Sequence, residues 1–213
     1  MNNPLRAQVA FGCAQLAEAD SRLKALIETF GPPELERGGD PYQALVRSII
    51  YQQISGKAAR AIYNRFLAIF PNSRFPSPQE LSQVNIDHLR AAGLSQRKAE
   101  YVTGIGQTFL DHEFLGKTID SLSDIEVSEK LTSIRGVGQW TADMFMIFTL
   151  ARLDILPLND QGIRNGMETF FELDHLPVAE EMLELTEHWK PYRSIASWYM
   201  WKVVDEAFEW VED

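Results

Sequence analysis

Gly136 and Gly138, on either side of Val137, are the strongest candidates in this sequence for binding a ligand through the backbone. Glycine lacks a Cβ, so it permits tight turns and lets a ligand come close to backbone N–H groups. The residues after this turn predict a helix, and the N-terminal end of a helix attracts anions. The turn can therefore hold a phosphate without reading a base. On spacing alone, an ordinary turn between two helices is an equal alternative.

Asp160 is a second candidate, because it follows a proline-containing loop and precedes Gln161-Gly162-Ile163. Taken alone, it is a good N-cap for the helix expected after it. A carboxylate in a fixed position can also stabilise positive charge or activate a water molecule. The two roles are compatible, since a cap fixes the position of its side chain.

Metal chemistry is not indicated by the remaining residues. Cys13 is the single cysteine, which excludes an intramolecular disulfide and a four-cysteine iron–sulfur cluster. The histidines show no metal-ligand spacing, so a zinc site is not expected; they are His88, His112, His175 and His188.

The net charge of −10 argues at first against a nucleic-acid partner, but the charge is unevenly distributed. Residues 40–110 contain eight basic and four acidic residues, whereas residues 168–213 contain three basic and twelve acidic ones. Such a chain can present one face that tolerates DNA. A merely acidic, soluble tail is the alternative.

The pattern of apolar residues predicts an all-α fold, with almost no period-2 alternation. Asp40 before Pro41 and the Ser77–Glu80 capping box indicate helix starts. The main helices are expected over residues 8–30, 41–53, 125–133, 140–150, 162–171, 177–189 and 194–211. No apolar run approaches the ~20 residues of a membrane span, and residues 1–9 lack the apolar stretch of a signal peptide. A cytoplasmic, nucleoid-associated or nuclear location is therefore expected, without a membrane partner.

Residues 131–164, LTSIRGVGQWTADMFMIFTLARLDILPLNDQGIR, resemble the hairpin and the loop ending in aspartate that define the helix-hairpin-helix DNA glycosylase superfamily. The segments ALVRSIIYQQISGKAARAIYNRF, AAGLSQRKAEYV and WKPYRSIASWYMW are similar to other signature segments of its 3-methyladenine branch. The resemblance covers most of residues 40–213 and keeps the order of the family. It implies two helical subdomains flanking a cleft, with Asp160 and the hairpin at its mouth. One subdomain combines residues 1–40 and 153–213, and the other is residues 41–152, with the helix-hairpin-helix motif at about 125–150.

The resemblance places Asp160 on the family's catalytic aspartate and implies hydrolysis of an N-glycosidic bond, which leaves an abasic site. Breaking this bond builds positive charge on the sugar, which a carboxylate stabilises. A base alkylated at N3 or N7 is already cationic and leaves without a general acid. The implied substrates are 3-methyladenine and 7-methylguanine in double-stranded DNA, with ethenoadenine as a further candidate.

Trp140 stands where relatives that also cut the strand carry a lysine, so abasic-site lyase activity is not expected. The resemblance assigns Trp140 and Trp201 to the base pocket, where an indole stacked on a cationic base contributes about 0.5–2 kcal/mol. Met144 and Tyr192 are further candidates for the pocket. Core packing is the alternative for these aromatic residues, and it is the expectation for Trp198 and Trp210.

The resemblance also implies how DNA is held. Gln53 is the candidate wedge that fills the gap left by the flipped base. The candidate contacts to the DNA backbone are Gly136, Val137, Gly138, Thr141 and Lys98, although a solvated surface charge is the alternative for Lys98. A Na⁺ or K⁺ ion held by backbone oxygens of Thr132, Ile134 and Val137 is the one cofactor expected, and the protein is expected to be a monomer.

Two residues depart from the pattern of the relatives. Asn159 replaces a second aspartate, for which a modest effect is expected, and Met144 replaces an aromatic residue of some relatives, which predicts a roomier pocket. The alternative functions are a non-catalytic helix-hairpin-helix module that binds DNA and a glycosylase for other damaged bases. The joint presence of Asp160, Trp140 and Trp201 argues against the first, because phosphate binding needs none of them. The tryptophan in the lysine position and the missing cysteine cluster argue against the second.

Overall fold

The computed structural model describes residues 4–110 and 119–204 of the chain. Within these residues every regular element is helical, which agrees with the predicted all-α class. None of the helices in the described ranges is both long and apolar enough to span a bilayer. The α-helices are α1 (Pro4–Ala19), α2 (Ser21–Phe30), α3 (Pro41–Tyr51), α4 (Gly56–Ala68), α5 (Pro78–Gln83), α6 (Ile86–Ala91), α7 (Gln96–Leu110), α8 (Asp124–Thr132), α9 (Gln139–Phe148), α10 (Gln161–Phe170), α11 (Ala179–Leu185) and α12 (Arg193–Val203), with 3₁₀ turns at Ile119–Ser121 and Glu187–Trp189.

The described chain divides into two compact units. One combines residues 4–38 with 143–204, and the other combines residues 39–110 with 119–142. The division falls inside α9, between Ala142 and Asp143, and not after residue 152 as the sequence predicted. The reason is that the second half of α9 packs within the first unit, where the ring of Phe148 stacks on Trp201 with 5.9 Å between centroids.

The single helix expected over residues 8–30 is two helices, because Asp20 interrupts it. Asp20 has an extended backbone, with φ −144° and ψ 113°, and its carboxylate accepts a hydrogen bond from the backbone N–H of Arg22. The same buried carboxylate lies 3.2 Å from the His188 ring nitrogen and 3.4 Å from the Trp189 indole nitrogen. An aspartate that caps a helix competes with continuation of the preceding one, and apolar periodicity does not show this choice.

The predicted helix starts in the other unit are confirmed. Asp40 caps α3 through the backbone N–H of Tyr42 at 2.8 Å, and Pro41 occupies the first turn. Ser77 and Glu80 form the expected reciprocal capping box at the start of α5. Ser55 precedes α4, but its side chain makes no capping hydrogen bond.

Helices α10 and α12 cross at Gly166. A Cβ added to this glycine would overlap the backbone carbonyl oxygen of Met200. The absence of a side chain therefore permits the backbones to meet, and this close approach brings the N-terminal end of α10 beside the last turns of α12.

Candidate active site and helical hairpin

Asp160 lies at the N-cap of α10 and its carboxylate is buried, with a residue exposure of 5%. Oxygen Oδ1 accepts a hydrogen bond from the backbone N–H of Ile163 at 2.9 Å. The same oxygen accepts a second bond from the indole Nε1–H of Trp201, also at 2.9 Å. Two donors from different helices therefore fix the orientation of the carboxylate, and its role as a cap is compatible with a chemical role.

The loop that leads to Asp160 is anchored on the first turn of α12. The Arg193 guanidinium donates through Nε and Nη2 to the two carboxylate oxygens of Asp154, each at 2.8 Å. Ser194 accepts from the backbone N–H of Ile155 at 2.8 Å. The first turn of α12 thus holds the loop. The last turns of the same helix hold Asp160 through Trp201.

Trp201 is buried and uses two parts of its indole ring. The Nε1–H edge contacts Asp160, and one face stacks on Phe148 at an interplanar angle of 26°. Met144, one turn before Phe148 on α9, is also buried. Phe148 was not predicted as a site residue, although its spacing of four from Met144 and of eight from Trp140 places all three on one helical face.

Tyr192 lies elsewhere in the same unit. It precedes α12, nine residues and about 13 Å of helical rise before Trp201. Its ring meets Phe11 of α1 edge to face, with 6.4 Å between centroids, and both line a surface groove with Leu153 and Pro191. One edge of this side chain packs against α1, and its place in the base pocket stays a prediction.

Two other tryptophans were expected in the core. Trp198 is half-buried and contacts the Lys202 ammonium, which lies 4.9 Å from its ring centroid. It is therefore a surface residue of α12 and not a core residue. Trp210 lies outside the described residues.

Helices α8 and α9 flank the predicted turn and form the hairpin. Gly136 has φ +99°, and a Cβ there would overlap the ring of Tyr101 on α7, so both its backbone and its packing require glycine. Gly138 accepts the first hydrogen bond of α9, from Ala142 N–H at 3.0 Å, and a Cβ added to Gly138 would meet nothing within 4 Å. The first glycine builds the turn, whereas the second leaves open space at a helix N-terminus.

Gln52 ties the hairpin to the end of α3. Its side-chain amide donates to the carbonyl oxygen of Gly136 at 3.3 Å and to the hydroxyl of Thr141 at 3.1 Å. Thr141 is buried and its hydroxyl accepts this hydrogen bond, so a phosphate contact by Thr141 would use its backbone N–H at the start of α9. Gln52 was not predicted, since the sequence does not show which of two adjacent glutamines faces inward.

Gln53 is exposed and has φ +57°, in the left-handed region that non-glycine residues rarely adopt. Lys98 lies beside this turn and donates to the carbonyl oxygens of Ile50 at 2.7 Å and Gln52 at 2.6 Å. Burial lowers the pKa of the Lys98 ammonium below its ordinary value. Only the third N–H of this ammonium is directed elsewhere, so the predicted phosphate contact has one donor at most.

Trp140 occupies the first turn of α9 and is 36% exposed, which makes it one of the exposed large hydrophobic residues in the described part of the chain. The described residues contain no group of three or more histidine, cysteine, aspartate or glutamate side chains that could hold a metal ion.

The helical elements of the described residues, with their glycine hairpin and a buried carboxylate that caps a helix, are typical of the class of helix-hairpin-helix proteins. Residues 46–191 match the model of the HhH-GPD superfamily of base excision DNA repair proteins, and the chain is a member of this family. It is 36% identical over 188 residues to DNA-3-methyladenine glycosylase 1 of Schizosaccharomyces pombe, a match that covers 88% of this chain and 82% of that protein.

Solved structures show the same similarity. A DNA-3-methyladenine glycosidase from Bacillus halodurans is 36% identical with a TM-score of 0.81, covering 92% of this chain and 89% of the other. The S. pombe 3-methyladenine DNA glycosylase Mag1, solved in complex with abasic DNA, is 34% identical with a TM-score of 0.79, covering 92% and 97%. These similarities confirm the family resemblance and the fold class inferred from the sequence.

Proposed function

We propose that this protein is a DNA-3-methyladenine glycosylase that hydrolyses the N-glycosidic bond of alkylated purines in duplex DNA. The observation that carries the proposal is the buried Asp160 carboxylate, whose Oδ1 is held by Ile163 N–H and by the Trp201 indole. The names of the relatives support the same reaction, since those at 36% identity are a 3-methyladenine glycosylase and a 3-methyladenine glycosidase.

The chemistry assigned to Asp160 is electrostatic. Loss of the base builds an oxocarbenium-like charge on the deoxyribose, and a preorganised carboxylate stabilises it without reorganisation. The same carboxylate can orient or deprotonate the water that attacks C1′. Bases alkylated at N3 or N7 are cationic leaving groups, so the reaction needs no general acid, and 7-methylguanine joins 3-methyladenine as a proposed substrate. Ethenoadenine is a further candidate.

The DNA-binding surface is assigned to the hairpin and to the turn at Gln53. The open backbone at Gly138 and the first N–H groups of α9 suit a phosphate at a helix N-terminus, whereas the Val137 N–H is already donated to the Ile134 carbonyl oxygen. Gln53 is exposed on a turn next to the hairpin and can enter the duplex as the base leaves the stack, an event that costs a few kcal/mol. We expect a monomer on double-stranded DNA.

Trp140 has two consequences for the reaction. Its partly exposed indole can stack on a cationic base. It also occupies the position of the Schiff-base lysine in relatives that cut the strand, so we propose a monofunctional enzyme. Borohydride trapping on abasic DNA tests this, with no covalent complex expected.

A Na⁺ or K⁺ ion at the hairpin fits the chemistry of the proposed donors, because backbone carbonyls are hard oxygen ligands. The carbonyl oxygen of Ile134 already accepts the Val137 N–H at 3.0 Å and has a second lone pair for an ion. The oxygens of Thr132 and Val137 would complete the protein ligands. Such an ion would add positive charge at the turn where a phosphate binds.

The decisive experiment measures each purine released from methylated duplex DNA by the wild type and by Asp160→Asn. Asparagine is also a good N-cap, so this change removes the charge and keeps the cap. A loss of about 10²- to 10³-fold is expected. Asp174→Asn, at a carboxylate that is 98% exposed, is the matched control and should leave the rate unchanged.

Three outcomes contradict the proposal in different ways. If the wild type binds duplex DNA and releases no base, the chain is a non-catalytic DNA-binding module. If it releases oxidised or mismatched bases and no methylated purine, it is a glycosylase of another specificity. If Asp160→Asn retains the full rate, Asp160 is a helix cap alone.

A further inference from the structure

The turn between α3 and α4 consists of residues 52–55 and is hereafter called the wedge turn. Helix α3 ends at Tyr51, Gln53 adopts φ +57°, and α4 begins at Gly56 without a side-chain cap from Ser55. Gln53 and Ile54 are exposed. A left-handed glutamine is intrinsically unfavourable, so the surrounding structure has to hold this conformation.

Lys98 supplies the contacts at the base of the wedge turn. Its ammonium lies between the carbonyl oxygens of Ile50 and Gln52, at 2.7 and 2.6 Å, where α3 ends. The last carbonyl oxygens of a helix have no donor within the helix and form the negative end of its dipole. A cation at this position therefore supplies hydrogen-bond donors and also balances the partial negative charge. These contacts lie directly before Gln53 and constrain the backbone that leads into it.

The same helix also holds the hairpin. Tyr101 follows Lys98 by three residues on α7, and its ring packs where a side chain of Gly136 would otherwise lie. Gln52 completes the link, since its side chain bonds to the Gly136 carbonyl oxygen and to the Thr141 hydroxyl. One face of α7 therefore contacts both the wedge turn and the hairpin turn, and Gln52 joins the two turns directly.

We propose that Lys98 is a positioning residue that holds the wedge turn, through the carbonyl oxygens of Ile50 and Gln52, at a fixed distance from the hairpin. This inference rests on the proposed function, in which the hairpin binds phosphate and Gln53 enters the duplex. A hairpin docked on the DNA backbone then presents Gln53 in one register. The assignment differs from a phosphate contact, because Lys98 acts on DNA through Gln53.

The first test needs no activity. Amide hydrogen exchange of residues 52–55 in the DNA-free protein is compared between the wild type, Lys98→Met and Lys98→Arg. In Lys98→Met, the amides of residues 52–55 should exchange at least about 10-fold faster than in the wild type. In Lys98→Arg, which can still donate to both carbonyls, their exchange rates should stay close to those of the wild type. A thermal unfolding curve close to that of the wild type shows that Lys98→Met is folded. Unchanged exchange in folded Lys98→Met overturns the positioning role.

The second test is a double-mutant cycle on methylated duplex DNA, with the single-turnover rate of purine release as the readout. Lys98→Met and Gln53→Ala should each lower this rate by about 10- to 100-fold, since small misplacements have effects of this size. The double variant should be no slower than Gln53→Ala, because Lys98 acts through Gln53. Lys24→Met, which removes an exposed lysine of α2, is the charge-matched control.

The salt dependence of duplex binding separates positioning from phosphate contact. Lys98→Met should leave the slope of log Kd against log salt unchanged, whereas loss of a phosphate contact lowers it by about one. Three results would each refute the proposal. They are a rate of purine release in the double variant that falls by the product of the two single losses, a smaller salt slope for Lys98→Met, and a full rate for Gln53→Ala. Absence of purine release by the wild type would refute the proposed function instead, and the exchange result would still report on Lys98.

Discussion

The indole Nε1–H of Trp201 donates a hydrogen bond to Asp160 Oδ1 at 2.9 Å, across 41 residues of sequence. This bond joins the last turns of α12 to the N-cap of α10. Trp201 therefore orients the carboxylate with its edge, whatever its faces contact when DNA is bound. The residue that a family resemblance assigns to base stacking is also a positioning residue for the candidate catalytic group.

Replacing Trp201 by Phe tests this relationship. Phenylalanine keeps an aromatic ring against Phe148 and removes the N–H donor. A hydrogen bond to a charged group contributes about 1.5–3 kcal/mol, which corresponds to a decrease of about 10- to 150-fold in the rate of purine release if all of it acts in the transition state. Trp198→Phe on the same helix is the control. A full rate for Trp201→Phe would show that the indole serves packing or stacking alone.

Gly166→Ala is expected to separate α10 from α12. The added methyl group would overlap the carbonyl oxygen of Met200, and relief requires a shift of the helices that also hold Asp160 and Trp201. Overpacking of this kind typically lowers the free energy of unfolding by about 1–3 kcal/mol. The free energy of unfolding measured in urea and the rate of purine release should therefore both decrease. Gly104→Ala on α7, where a Cβ would meet nothing within 4 Å, should leave the rate of purine release unchanged and should not lower the free energy of unfolding, because alanine is favoured over glycine inside a helix.

The two hairpin glycines should respond differently to alanine. Gly136→Ala forces a side chain into the Tyr101 ring at φ +99°, so a loss of stability of at least about 1 kcal/mol is expected. Gly138→Ala has open space and should fold normally, while its methyl group obstructs the approach of a phosphate. Thermal unfolding and duplex binding, measured for both variants, separate the effects. Wild-type DNA affinity of Gly138→Ala would place the phosphate elsewhere.

Arg193 should support activity without contacting the DNA. Its bidentate pair with Asp154 holds the loop before Asp160 against α12. Lysine cannot reproduce a bidentate contact, so Arg193→Lys should lower both the unfolding temperature and the rate of purine release. The salt dependence of duplex binding should stay at the wild-type value. A smaller salt slope would instead identify Arg193 as a contact to phosphate.

Asp20 should make stability depend on pH. Burial alone would raise the pKa of its carboxyl, but hydrogen bonds from Arg22 and His188 outweigh burial and hold it below the ordinary value of 3.8. A depressed folded pKa means that ionised Asp20 stabilises the fold above about pH 4, and that this contribution is lost as the pH falls through the folded value. The free energy of unfolding, measured in urea, should decline less steeply between about pH 5 and pH 3 for Asp20→Asn than for the wild type. Parallel curves for the two proteins would contradict the prediction.

The sequence by itself determined the features that depend on neighbouring residues. Asp40 and the Ser77–Glu80 box start helices as predicted, because a cap is decided by side chains within one helical turn. The glycine turn between α8 and α9 and the capping role of Asp160 were visible for the same reason. The family resemblance added an expected role for each of these features.

Only the tertiary structure decided which distant groups meet. The Trp201–Asp160 bond spans 41 residues and the contact of Lys98 with the Gln52 carbonyl spans 46, and no local pattern specifies either. The interruption at Asp20 depends in the same way on distant groups, because its carboxylate also contacts His188 and Trp189, which are 168 and 169 positions away in the sequence. Such contacts form because buried polar groups must find partners once the helices have packed, and the packing is a property of the whole unit.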